Sequence, residues 1–177
     1  MNLAALTLAA LAVLAAPDDA PPKPVSVRMV AVQALKTGHK TSQYDKGCHE
    51  VRGALADLKQ FDTYRLVKAG TATAPFGKET RLPINAKYAL YITPLSATPE
   101  GAVKLKARIA MAPKKRSEQA ANVQPTNLKP TDGKPTNVVT TTVSAAPDKK
   151  FKLGGPNLEE GGTLVVVLCV KGTTPTR

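Results

Sequence analysis

The sequence predicts an α+β fold that is mostly β: about eight strands in a sandwich-like or partly rolled sheet, with one early helix. Three observations carry this. Beyond residue 24 the pattern is mainly strand-like, and two segments, "VSVRMVAVQAL" and "GAVKLKARIAM", alternate with period two, the mark of strands with one buried face. A single stretch, residues 48–61, spaces its apolar residues for a helix. The C-terminal third is β-branched and ends in two strand-like runs separated by glycines, which reads as a hairpin.

The elements follow in order. "VSVRMVAVQAL" points Val25, Val27, Met29 and Ala31 one way, and Ser26 and Arg28 the other. "KTGHKTSQYDKG" reads as a polar loop. In "CHEVRGALADLKQF", Val51, Ala54, Leu55 and Leu58 form an apolar helical stripe, with Asp45 or Gly47 as N-cap. Gly53 weakens that helix by up to about 1 kcal/mol relative to Ala. "DTYRLVKAGTA" is a strand with Tyr64 and Leu66 on one face. "KETRLPI" and "KYALYITPL" form a hairpin about Asn85-Ala86. "GAVKLKARIAM" is the clearest amphipathic strand: Val103, Leu105, Ala107, Ile109 and Met111 on one face, Lys104, Lys106 and Arg108 on the other. "TNVVTTTVSA" is strand-like, and "KKFKLGG" with "GGTLVVVLCV" closes the chain. Leu164–Val170 is apolar on both faces, which predicts an interior strand of the sheet.

The N-terminus bears on location. Leu3–Ala16 is apolar and falls short of the roughly 20 residues that span a bilayer. Small residues at its end suit signal-peptide cleavage, although the terminal amine is its only positive charge. The sequence therefore divides into a signal peptide and cleavage region (1–20), a Pro-rich spacer (21–24), one β-rich domain (25–172) and a flexible tail (173–177). A secreted or periplasmic protein is expected, with no transmembrane span once the signal is removed. Within the domain, residues 113–135 contain four prolines and almost no periodicity. They read as a mobile surface loop or as a segment that orders on a partner.

Composition narrows the function. Of 177 residues, 42% are hydrophobic, enough for a core. Aromatics are only 4%, with no Trp, which argues against carbohydrate platforms and base-stacking surfaces. Losing Asp18 and Asp19 with the leader raises the formal charge from +12 to +14, since all 25 Lys and Arg lie downstream. Such a chain favours anionic partners or is simply kept soluble by its charge. Lys104, Lys106 and Arg108 are followed closely by Lys114, Lys115 and Arg116. These six could hold an anionic glycan or a lipid headgroup surface; the alternative is a charged strand face that discourages edge pairing. Without a recognition helix, base-sequence readout is not expected.

Catalytic motifs are scarce. His39 and His49 are the only histidines, and neither belongs to a zinc spacing, so no metal or other cofactor is expected. Cys48 at a helix start could have a lowered thiol pKa and serve a thiol-dependent enzyme, with His39 or His49 as base. Cys48 and Cys169 could instead form a disulfide closing a loop of about 120 residues, worth on the order of 4–5 kcal/mol. Two separate buried thiols are the third possibility. Gly154-Gly155 and Gly161-Gly162 precede strands rather than a helix, which favours turns over a phosphate cradle.

Residues 137–170 carry a local resemblance. Thr140–Val143, then Leu153-Gly154-Gly155, then Leu164–Leu168 resemble the Thr/Val-rich strand, "LGG" turn and final apolar strand of bacterial outer-membrane secretin cores. The likeness covers about a fifth of the chain, without the periplasmic modules and pore-forming core of a secretin. It implies a cell-envelope setting and a similar hairpin, not a pore. Together these readings predict a non-enzymatic envelope protein that acts by binding or assembly, toward an envelope protein or an anionic surface.

Overall fold

The computed structural model describes residues 23–111 and 136–171. Its strands are β1 (Val25–Leu35), β2 (Gln43–Tyr44), β3 (Thr63–Ala74), β4 (Thr80–Pro83), β5 (Tyr88–Ala97), β6 (Val103–Met111), β7 (Asn137–Ala145), β8 (Lys150–Asn157) and β9 (Thr163–Lys171). They build two sheets, ordered β2-β3-β1-β9-β8 and β4-β5-β6-β7. All neighbours are antiparallel except β2 and β3. The mostly-β α+β class is thus the observed one. The strand beyond the expected eight is β2, two residues within the stretch read as a loop. Tyr44 gains its place there by stacking on Tyr64, with ring centroids 4.9 Å apart.

The main core lies between the sheets. Val27, Met29 and Ala31 of β1 and Leu164, Val166 and Leu168 of β9 belong to one buried cluster with Leu90, Ile92, Leu105 and Ile109. Each fully buried aliphatic side chain contributes about 1.5–3 kcal/mol. These are the residues that the alternating pattern assigns inward. β9 is interior to its sheet, as its apolar run requires.

A smaller core lies on the other face of the five-stranded sheet. There Val30, Val32, Ala34, Val165 and Val167 pack under Cys48, Val51 and Leu55. The cover explains the burial of β1. Ser26 and Arg28 alternate outward, but Met29–Ala34 are all buried, because that stretch has protein on both sides.

The cover departs from the expected long helix. It is a 3₁₀ segment, Lys46–Val51, followed by one α turn, α1 (Arg52–Leu55). Asp45 occupies the N-cap position without capping; its carboxylate accepts the Leu66 N–H at 3.0 Å instead. At the other end the Tyr64 hydroxyl donates into the carbonyls of Leu55, Leu58 and Phe61, the nearest at 3.0 Å. Tertiary partners thus claim the groups that a longer helix would have used. The apolar stripe survives: Val51 and Leu55 are buried, and Ala54 and Leu58 pack at the margin. Ion pairs tie the cover to the sheet on both sides, Arg28 with Glu50 and Lys152 with Asp57.

Two further corrections concern turns and thiols. Leu153-Gly154-Gly155 lies within β8, at a bulge, and the hairpin turn is made by Leu158–Gly162. The Cys48–Cys169 bridge is absent: both are buried free thiols. The Cys48 Sγ lies 3.7 Å from the Tyr64 carbonyl, and Tyr64 is paired with Ala34. Cys169 is paired with Arg28, six residues back along β1. That offset is on the order of 20 Å at a strand's rise, far beyond the ~6.8 Å a disulfide tolerates.

Candidate anion-binding face

The outer face of the four-stranded sheet is where β6 presents its polar side. Register aligns that side into three rows across the strands: Arg81–Tyr91–Arg108–Thr140, then Thr93–Lys106–Thr142, then Ser96–Lys104–Ser144. Cross-strand partners share a face, so each lysine stands between two hydroxyl residues. Lys104 and Lys106 are exposed, about 6–7 Å apart along the strand, and neither makes an ion pair among the described residues. An anion resting on this face would meet two ammonium groups flanked by neutral donors.

Arg108 differs from its two neighbours. Its Nε and one terminal nitrogen donate to both oxygens of Glu79, at 2.9 and 2.7 Å. The other terminal nitrogen donates to Asn137 Oδ1 at 2.6 Å, and the guanidinium lies 4.2 Å from the centre of the Tyr91 ring. Its side chain is only 16% exposed. The hydrogen bond to Arg108 draws the Glu79 carboxyl below its usual range, and the same bond raises the arginine. Arg108 is therefore a fastener joining the start of β4 to β6 and β7, with its donors committed. Lys114, Lys115 and Arg116, with the rest of residues 113–135, lie outside the described residues.

The thiol residues have different surroundings. Burial, and then the Asp45 charge, push the Cys48 thiol up rather than down. This runs against the activation that a helix start could have supplied, because the short cover lays the thiol onto apolar side chains. His39 and His49 are both exposed. Among the described residues no group of three or more His, Cys, Asp or Glu could hold a metal ion. Cys169 lines a cleft of about 290 Å³ between cover and sheet, rimmed by Arg28, Glu50, Lys150 and Lys171.

Alternation in β6 located Lys104 and Lys106 in the sequence. It could not show that Arg108 is occupied, because Glu79 is 29 residues distant and precedes a different strand. The flanking hydroxyls come from β5 (Thr93, Ser96) and β7 (Thr142, Ser144), and only the register places them beside the lysines.

No family model, no curated protein and no solved structure matches this chain. No helix among the described residues is long and apolar enough to cross a membrane.

Proposed function

We propose that this protein is a non-enzymatic binding domain of the cell envelope, secreted or periplasmic, that docks onto an anionic surface through the outer face of β5, β6 and β7. The observation that carries the reading is the pair Lys104 and Lys106, exposed and without ion pairs among the described residues, each set between hydroxyl side chains. The formal charge of +12 adds a long-range attraction toward anionic partners. The leader-like residues 1–20 support the envelope setting. A thiol-dependent activity draws no support from Cys48, whose proton is held more tightly than usual.

Vesicles with and without phosphatidylserine test the docking, with immobilised heparin as a glycan arm. Each lysine near an anionic membrane contributes about 1 kcal/mol. Replacing both, Lys104→Gln with Lys106→Gln, should weaken vesicle binding roughly thirtyfold. Equal retention of the double variant on both matrices would refute this face as the docking site. Retention on heparin alone would transfer the reading to a polyanion-binding module.

A further inference from the structure

The two open sheets have four edge strands among the described residues, β2, β8, β4 and β7. An open edge invites another strand, so proteins usually guard it by shortness, charge, proline or bulges. Three of these edges are guarded. β2 has two residues and covers only Thr63 and Tyr64, while the rest of that edge, along β3, carries the exposed Arg65 and Lys68. β4 has four, including Arg81 and Pro83. β8 carries Lys150, Lys152 and Pro156, and is bulged between Gly154 and Asn157. β7 is the exception. Its nine residues, Asn137–Ala145, include no charge and no proline. From Val139 onward its pairing with β6 is regular, and no strand among the described residues is hydrogen-bonded to its far side.

The middle of β7 reads Val139-Thr140-Thr141-Thr142-Val143, the same in both directions. An antiparallel strand centred on Thr141 would set Val139 against Val143 of a second copy, Thr140 against Thr142, and Thr141 against itself. Thr–Thr and β-branched pairs are favourable cross-strand partners. A two-fold interface requires such self-complementarity. Val139 and Val143 pack against the core but are only partly buried, so a second strand would cover apolar surface that one copy leaves open. We infer that β7 pairs antiparallel with β7 of a second copy, joining two four-stranded sheets into one eight-stranded sheet.

The charge distribution allows this. Lys104 and Lys106 lie one strand inward, on β6. In the dimer the two basic rows stand three strand spacings apart, about 14 Å, which exceeds the screening length of about 8 Å at physiological salt. Both rows open on the same face, because opposed residues in a sheet share a side. Dimerisation thus doubles the basic face without opposing its charges closely.

Sedimentation velocity on the full chain over a range of concentrations tests the inference. A monomer–dimer equilibrium is expected. Thr140→Lys with Thr142→Lys sets like charges directly opposite across the two-fold and should raise the dissociation constant about tenfold. Both side chains are exposed, so the variant's circular dichroism should match wild type, while its Tm should fall slightly because position 140 faces Arg108 and position 142 faces Lys106 across β6. The register has its own test. Mixing the Thr140→Lys chain with the Thr142→Glu chain should favour mixed dimers, since those positions face each other; mixing Thr140→Lys with Thr140→Glu should do so less. The mixtures decide the question even if the double-lysine variant misfolds. A wild-type chain that stays monomeric, a dimer indifferent to these charges, or assembly that continues past two copies would each overturn it.

Discussion

Asp62 accepts hydrogen bonds from the Thr37 and Gly38 amides and from the hydroxyls of Thr37 and Thr63. It pins the chain leaving β1 to the start of β3. The Thr37 hydroxyl, before the other donors, holds its carboxyl well below the usual carboxylate range. A depressed carboxyl stabilises the folded state above its unfolded pKa of about 4, and that contribution fades as the pH falls through the folded value. Asp62→Asn should therefore flatten the fall of Tm below about pH 4. Asp57, Glu79 and Glu159 shift the same way and keep part of the acid sensitivity. Parallel Tm-versus-pH curves for variant and wild type would contradict the assignment. The two thiols give a second test at this scale. Cys169 borders a cleft and is 8% exposed, whereas Cys48 is fully enclosed with a raised pKa. Iodoacetamide on the native protein should label Cys169 first, with Cys48 reacting only on unfolding; mass spectrometry reads the order.

At the scale of elements, the β8–β9 turn is the most demanding piece of backbone. Gly162 has φ +75°, and a β-carbon there would lie 2.5 Å from the Ala34 carbonyl oxygen. Gly161 next to it also has positive φ, and its carbonyl accepts the buried Gln33 side chain at 2.6 Å. Gly162→Ala should destabilise the fold by about 2–3 kcal/mol, through backbone strain and the clash, as measured by urea unfolding. A change below about half a kcal/mol would mean that the turn relaxes freely. The strands were legible because period-two alternation in the first half of β1 and in β6 states directly which residues face the main core. The helical cover was legible only as a stripe. Its break into a 3₁₀ segment and one α turn depends on Leu66 and Tyr64, which lie in another element and leave no trace in the local sequence. β2 was illegible for the same reason, since its burial comes from stacking on Tyr64.

At the scale of the whole molecule, the charge should act oppositely on the two proposed associations. Docking on an anionic surface pairs ammonium groups with anionic groups and releases counterions, so added salt should weaken it. The β7 pairing brings two strongly basic molecules together through an uncharged strand, so added salt should tighten it. Vesicle sedimentation and analytical ultracentrifugation over one salt series check both signs. If both associations weaken with salt, the dimer is charge-driven and does not run through β7. This contrast was only half legible. The basic row could be read from β6, but the free β7 edge exists because of the strand order, which no local pattern states.

By itself, the sequence determined most of the residues of β1 and β6 that face the main core, the mostly-β class, the interior position of β9 and the basic side of β6. Each follows from the fixed two-residue period of a strand or from composition. Only the tertiary structure decided that Arg108 is tied up by Glu79 and Asn137, that Cys48 and Cys169 are too far apart to bond, and that β7 is the unguarded edge. Those outcomes depend on which distant segments become neighbours. Register and strand order set that, and they arise from packing the two sheets and the helical cover together.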